Sequence, residues 1–114
     1  MNIVENSDIR ERIRQGWELW LEVPYPTDDY PPGSAEADID GIDLALLDGD
    51  AAAAVAWFID PALEGRGDPG LREITRRHAL SALERIVPRL SEDGKAYFGQ
   101  LLGLLRLVDQ ATEQ

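Results

Sequence analysis

Apolar residues recur at helical spacing near the start of the chain. They lie at positions i, i+4, i+8, i+11 and i+12, which places them on one face of a helix. This face consists of Ile9, Ile13, Trp17, Trp20 and Leu21. The spacing predicts an amphipathic helix over residues 8–22, with Ser7 suited to cap its start. Core packing is the favoured interpretation of the two tryptophans, and an exposed docking patch is the alternative.

Prolines interrupt this helical pattern in residues 23–33. The segment contains Pro24, Pro26, Pro31 and Pro32. Because proline lacks a backbone N–H and restricts the residue before it, we expect a stiff, extended loop rather than a helix. Tyr25, Asp28, Asp29 and Tyr30 give this loop the composition of a binding surface. The alternative is that the two tyrosines cover the end of a helical bundle.

Two further helices are predicted over residues 34–59. Ser34 is suited to cap the second helix of the chain. Its buried face is predicted to hold Ile39, Ile42 and Leu46. Gly49 lies between two aspartates, a pattern that predicts the end of one helix followed at once by the cap of the next. The third helix is therefore expected over residues 51–59.

The acidic residues of the second predicted helix also repeat at helical spacing. Glu36, Asp40 and Asp43 lie at i, i+4 and i+7, which forms a stripe of like charge. Each like-charge pair at this spacing destabilises a helix by about 0.2–0.5 kcal/mol, so the stripe needs an opposing charge. The chain's own arginines are one source, namely Arg72, Arg76, Arg77, Arg85 and Arg89. Plain solvation, an external cationic partner and a metal ion are the alternatives.

The second half of the chain predicts two long helices. Asp68 and Pro69 suit the start of the first of these, and Pro88 should end it. Its apolar face is predicted to hold Leu71, Ile74, Ala79, Ala82, Leu83, Ile86 and Leu90. Ser91 opens the last helix. The buried face of that helix should hold Tyr97, Leu101, Leu104, Leu105 and Val108.

These helical periods set the expected fold class. No run of alternating β-branched residues occurs along the chain. With 44% apolar residues the chain has the composition of a folded globular protein. We expect a single all-α domain over residues 1–114, a compact bundle of four to five helices with a proline-rich loop after the first helix.

Negative charge is concentrated in one stretch of the chain. Residues 15–65 contain twelve carboxylates and no lysine or arginine, so they account for the whole net charge of −11. Such a field attracts cationic surfaces and repels the phosphates of nucleic acid. The absence of cysteine excludes disulfides and thiol chemistry. We expect a cytoplasmic protein without a membrane segment, because no basic leader and no long apolar run occurs.

Candidate chemical motifs fail on their spacing. A calcium loop that starts at Asp38 would place Ile42 where an oxygen ligand is required and Gly49 where an acid is required. His78 and Ser81 lie three residues apart on one helix, a spacing that rarely aligns a nucleophile with its base. Phosphate-loop and dinucleotide spacings do not occur. The sequence therefore predicts no catalytic residue, no metal site, no cofactor and no nucleic-acid partner.

One segment carries a family resemblance. Residues 41–50 (GIDLALLDGD) are followed by an alanine-rich helix and later by an arginine-rich helix, and the chain has ten arginines to one lysine. In these features it resembles small uncharacterised helical proteins of GC-rich bacteria. The resemblance covers most of the chain after residue 38. It implies a helical fold only, and it implies no activity.

Three kinds of function agree with these patterns. The leading hypothesis is a non-enzymatic acidic module that binds a cationic protein, for example an immunity-type inhibitor that occupies the nucleic-acid site of a nuclease toxin. The partner-binding residues would be Glu36, Asp40, Asp43, Tyr25, Asp28, Asp29 and Tyr30. One alternative is a structural homodimer formed through the face of Trp17 and Trp20 or through the last helix. The other is a carboxylate enzyme that uses a divalent metal ion.

Overall fold

Four α-helices make up most of the part of the chain that the structure describes. The computed structural model describes residues 3–60 and 69–112. In chain order the elements are α1 (Ile3–Leu21), a 3-10 turn (Ala35–Ala37), β1 (Asp38–Ile39), β2 (Ile42–Asp43), α2 (Leu44–Ile59), α3 (Pro69–Ile86), a second 3-10 turn (Val87–Arg89) and α4 (Glu92–Thr112). Since β1 and β2 form only one short antiparallel hairpin, the predicted all-α class is confirmed.

The last helix, α4, contacts each of the other three helices. Phe98, Leu101 and Leu105 of α4 are fully buried. The same core holds Ile13 of α1, Val55 of α2 and Leu83 of α3. Burying one such side chain stabilises a fold by about 1.5–3 kcal/mol. Since α4 contributes several of these side chains and contacts every other helix, the bundle is organised around it. No helix within the two described ranges has the length and apolar character that a membrane crossing requires.

The first helix begins earlier than predicted. It starts at Ile3 rather than at residue 8, so the predicted cap position, residue 7, lies within α1. Trp20 is buried as predicted and Trp17 packs against the core, but Leu21 is 60% exposed. The reason is angular, because each residue rotates by about 100° around a helix and Leu21 lies past the edge of the face that Trp20 buries.

The predicted second helix is instead a turn and a hairpin. Ile39 pairs with Ile42 across the hairpin, and the two residues between them have positive φ angles of 53° at Asp40 and 79° at Gly41. Positive φ at both central residues is the geometry of a tight two-residue β-turn of type I′. The carboxylate of Asp38 accepts a hydrogen bond of 2.9 Å from the Gly41 N–H. Glu36, Asp40 and Asp43 therefore form no helical stripe.

The helix α2 begins at Leu44 and continues through Gly49, which does not end a helix. The Asp43 carboxylate caps α2 by accepting hydrogen bonds from the N–H groups of Ala45 at 2.9 Å and Leu46 at 3.4 Å. This cap fixes the residue at which α2 begins. The buried residues of α2 are Leu44, Leu47, Ala51, Ala54 and Val55. Leu46, which was predicted to be buried, is 69% exposed because it points away from this face.

The two long helices of the second half agree with the predicted ends. Pro69 is the first residue of α3, and Pro88 lies in the 3-10 turn that ends it. The predicted cap at Asp68 lies outside the described residues. Ser91 caps α4, because its hydroxyl accepts a hydrogen bond of 3.1 Å from the Gly94 N–H.

Two apolar residues of α3 lie outside its buried face. Leu71 is 61% exposed and Ile74 is 66% exposed, although both were predicted to be buried. The observed face is centred on Ala79, Leu83 and Ile86, which are fully buried. Ile74 precedes Ala79 by five residues, and this spacing rotates it by about 140° around the helix.

Replacement of Gly49 by alanine should stabilise the protein. A Cβ atom at this position would meet nothing within 4 Å, and glycine weakens a helix interior by about 0.5–1 kcal/mol relative to alanine. We expect Gly49→Ala to raise the free energy of unfolding by that amount in urea denaturation.

The matched control for this prediction is Gly94→Ala in α4. Its Cβ would lie 2.9 Å from both Leu90 Cβ and Tyr30 Cε2, so we expect a loss of about 1–3 kcal/mol from overpacking. A loss of stability in Gly49→Ala would contradict the continuous helix α2 and would support a helix end at Gly49.

Candidate functional site

One end of the bundle holds 11 of the chain's 22 acidic residues. It consists of residues 22–50 and 87–95, and we call it the acidic end. The loop between α1 and the first 3-10 turn, residues 22–34, is joined to the start of α4 by two hydrogen bonds. The Ser91 hydroxyl donates to Asp29 at 2.6 Å, and the Ser91 N–H donates to the Tyr30 hydroxyl at 2.9 Å. The carboxylates of the acidic end are Glu22, Asp28, Asp29, Glu36, Asp38, Asp40, Asp43, Asp48, Asp50, Glu92 and Asp93.

Several of these carboxylates are bound within the chain. Asp40 forms an ion pair with Arg89, so one of the five arginines that were expected to offset the acids does so. Asp29, Asp38, Asp43 and Asp48 each accept a hydrogen bond from this chain. Arg76 pairs instead with Asp109, and Arg77 pairs with Glu73 at 2.8 Å. Part of the charge concentration therefore has a structural role.

Other carboxylates of the acidic end stand in solvent. Asp28, Glu36, Asp50 and Asp93 are exposed, and within the described part of the chain none of them has a hydrogen-bond or ion-pair partner. Asp28 and Asp93 line a cleft of about 320 Å³ whose wall includes Tyr25. Together with Glu22 and Glu92, which are also exposed and have no described partner, these four groups leave the acidic end with a net negative surface.

A tyrosine and an aspartate are joined beneath this surface. The Tyr97 hydroxyl donates a hydrogen bond of 2.7 Å to the Asp48 carboxylate, and the Tyr97 carbonyl accepts one of 3.1 Å from the Trp20 indole. Burial raises the pKa of the Asp48 carboxyl, and the hydrogen bond from Tyr97 partly offsets that rise. Burial, followed by the hydrogen bond and charge of Asp48, raises the pKa of Tyr97. Tyr97 is therefore a neutral hydrogen-bond donor.

Tyr25 packs against this pair. Its ring meets those of Tyr97 and Phe98 edge to face, with centroid distances of 5.4 Å and 6.0 Å. Its hydroxyl oxygen is buried and has no hydrogen-bond partner among the described residues. Such groups are rare in folded proteins. Burial and the charges of Asp48 and Asp43 raise the pKa of Tyr25, which keeps the phenol neutral.

The predicted partner-binding residues divide into two groups. Tyr30 is buried and Tyr25 is half-buried, so the tyrosines cover the end of the bundle, as the alternative interpretation held. Asp29, Asp40 and Asp43 are bound within the chain, as described above. Of the predicted set, this leaves Asp28 and Glu36 exposed and without a described partner.

Sequence reasoning missed Asp48 and Tyr97 as a joined pair. Asp48 was assigned to a break between two helices because it precedes Gly49. A helix that continued through Gly49 would have placed Asp48 one turn after Leu44, which is fully buried, and that spacing was the available signal.

No three histidine, aspartate or glutamate side chains converge on a point where they could hold a metal ion, among the residues that the structure describes. His78 and Ser81, which were considered and rejected as a catalytic pair, are both exposed on α3. The polar groups of the acidic end described above are joined to one another by hydrogen bonds and one ion pair.

Removal of the two tyrosine hydroxyls should have different effects. Tyr97→Phe leaves the half-buried Asp48 carboxylate without its donor, so we expect it to lower the free energy of unfolding by about 1–2 kcal/mol at neutral pH. Tyr25→Phe removes a buried hydroxyl that has no described partner, so we expect stability to stay unchanged or to rise. Urea denaturation measures both, and equal losses would contradict this account.

Replacement of Asp48 by asparagine should remove a pH-dependent loss of stability. Because its pKa is raised in the folded state, Asp48 contributes stability that is present at low pH and is lost as the pH rises through the folded pKa. The free energy of unfolding of Asp48→Asn, relative to the native protein, should increase as the pH rises above the ordinary value of 3.8. Asp50→Asn removes an exposed carboxylate from the same helix and is the control. The same pH dependence in both variants would contradict the prediction.

Comparison with known proteins adds no relative to this description. The chain matches no protein-family model, no curated protein and no solved structure. The resemblance to helical proteins of GC-rich bacteria stays a prediction. Any functional assignment therefore rests on the contacts and charges of the acidic end.

Proposed function

We propose that this protein is a non-enzymatic interaction module whose acidic end binds an arginine- or lysine-rich face of another protein. The observation that supports this proposal is the exposure of Asp28, Glu36, Asp50 and Asp93 without a described partner. The nearby Arg89 is already paired with Asp40. Like charges held together destabilise a fold, and a cationic partner would relieve this repulsion.

The exposed charges are held by ordered structure. Asp28 lies in a loop that Tyr30 anchors to Ser91, and Glu36 precedes Ala37, which is 2% exposed. Asp50 lies on α2. Binding groups that are fixed before association lose less conformational entropy when the complex forms. The acidic end is therefore suited to a partner with a defined pattern of positive charge.

A nucleic-acid-binding site on the partner is one concrete form of such a face. A nuclease presents lysines and arginines to phosphates, and a protein that offers carboxylates at similar spacing would compete for that site. This is the immunity-type version of the proposal, and inhibition of a nuclease is its readout. We place the interaction in the cytoplasm, since a chain without cysteine needs no oxidising compartment.

Neutralising part of the acidic end should weaken binding to the partner. We expect Asp28→Asn/Glu36→Gln/Asp50→Asn to lose at least about tenfold in affinity, mainly through slower association. The control is Asp8→Asn/Glu11→Gln/Glu84→Gln, which removes the same number of negative charges elsewhere. The partner is captured with the native protein at low salt and identified, and affinities are then measured at two salt concentrations.

The salt dependence separates the outcomes of this experiment. Exposed charges separated by more than a Debye length, about 10 Å at 0.1 M salt, are largely screened, so binding through the acidic end must weaken as salt increases. Binding that ignores salt, or that the control variant loses equally, would show that the acidic end is not the recognition surface.

A further inference from the structure

A groove runs along the outer face of α1 and α4. Its walls include Arg12, Gly16 and Leu19 from α1 and Gln100, Gly103 and Leu107 from α4. The groove has a volume of about 390 Å³. Leu19 is 65% exposed beside this concave surface. The surface is thus suited to contact with another protein surface.

Two glycines of this face differ in what requires them. A Cβ atom on Gly16 would lie 2.7 Å from Leu104 Cδ2, so Gly16 serves the contact between α1 and α4. A Cβ atom on Gly103 would meet nothing within 4 Å, although Gly103 lies in the middle of α4. Glycine weakens a helix at such a position. No contact in the described part of the chain requires glycine at position 103. Close approach by the backbone of another chain would require it.

Charges of opposite sign lie along α1 beside this groove. Arg12 lines the groove, and Glu18 and Glu22 line an adjoining cleft that shares Leu19 with it. None of the three has a partner within the described ranges, whereas the neighbouring Arg106 is paired with Glu84. Arg12 and Glu22 are ten residues apart, about 15 Å along the helix, so they do not pair within one chain.

The position of the two glutamates adds to this argument. Glu18 lies in the last turn of α1 and Glu22 directly follows its last residue, where the helix dipole disfavours negative charge. They are also four residues apart, a spacing at which like charges repel. The last turn of α1 holds no basic residue that would offset them. A lysine or arginine of another chain would supply the positive charge that offsets these two glutamates.

We propose that a second copy of this chain covers the groove, in an antiparallel homodimer whose two-fold axis passes near Gly16 and Gly103. A two-fold interface uses the same surface on both subunits. The antiparallel arrangement brings Arg12 of each copy to Glu22 of the other, so both ends of the interface gain opposite charges. Gly103 lets the two α4 helices approach closely, and Leu19 of each copy is buried in the centre.

Reversal of single charges tests the geometry. Sedimentation velocity over roughly a hundredfold range of protein concentration should show a mass that rises from 12.7 kDa towards twice that value. Arg12→Glu and Glu22→Arg should each weaken dimerisation about tenfold or more, because like charges then meet at both ends. An equimolar mixture of the two variants should dimerise again, because each end then pairs opposite charges. Arg14→Glu is the control with the same change of charge and should dimerise normally.

A pair of glycine variants tests the close approach. Gly103→Gln should prevent dimerisation by filling the seam, while circular dichroism shows an intact helical fold. Gly49→Gln changes the other open helical glycine, on α2, and should leave the dimer unchanged. A native protein that stays at 12.7 kDa at every concentration would overturn the proposal. A dimer that survives Arg12→Glu, or a mixture that fails to recover, would overturn the antiparallel arrangement.

Discussion

Tyr97 joins three of the four described helices and the loop that follows α1. Its carbonyl accepts the indole hydrogen bond of Trp20 on α1, and its hydroxyl donates to Asp48 on α2. Its ring packs against Tyr25 of the loop and Phe98 of α4. The contacts with Trp20, Asp48 and Tyr25 require α4 to enter the bundle in one rotational setting, since a different phase would withdraw Tyr97 from them. The acidic end depends on that setting, because the Tyr25 ring and the Asp48 carboxylate of α2 both contact Tyr97.

The carboxylates of the acidic end fall into two groups, those that stabilise local structure and those that are exposed to solvent. Asp43 fixes the start of α2, Asp38 holds the hairpin turn, and Asp29 ties the loop to Ser91. These are local tasks that aspartate performs better than most residues, because its short side chain reaches nearby N–H groups. They explain why a chain can gather acids in one segment without any selection for charge. The exposed groups, such as Asp28 and Glu36, have no such task within the described residues, and they are the ones on which a functional argument can rest.

Helical periodicity predicted the long elements because packing on α4 follows the same period. The buried positions Ile13 and Leu83 and the helix end at Pro88 all follow from spacing and proline chemistry. The hairpin was missed because its strands are only two residues long, so no alternation is visible. The Asp40-Gly41 pair between two isoleucines is nevertheless a strong hairpin signal, and it competed with a helical period in the same residues. The spacing from Leu44 indicates that Asp48 lies near the buried face of α2. Its contact with Tyr97 depends on tertiary packing, which no spacing within one segment encodes.

Electrostatics also distinguishes the ways in which two copies of this chain could associate along α1 and α4. Each chain carries a net charge of −11, and half of its carboxylates belong to the acidic end. A parallel arrangement would bring the two acidic ends side by side, where repulsion opposes association. An antiparallel arrangement places them at opposite ends and sets Arg12 against Glu22. The same segregation of charge that would draw a cationic partner to the acidic end therefore also favours one orientation of the dimer, and it leaves an acidic end accessible on each subunit.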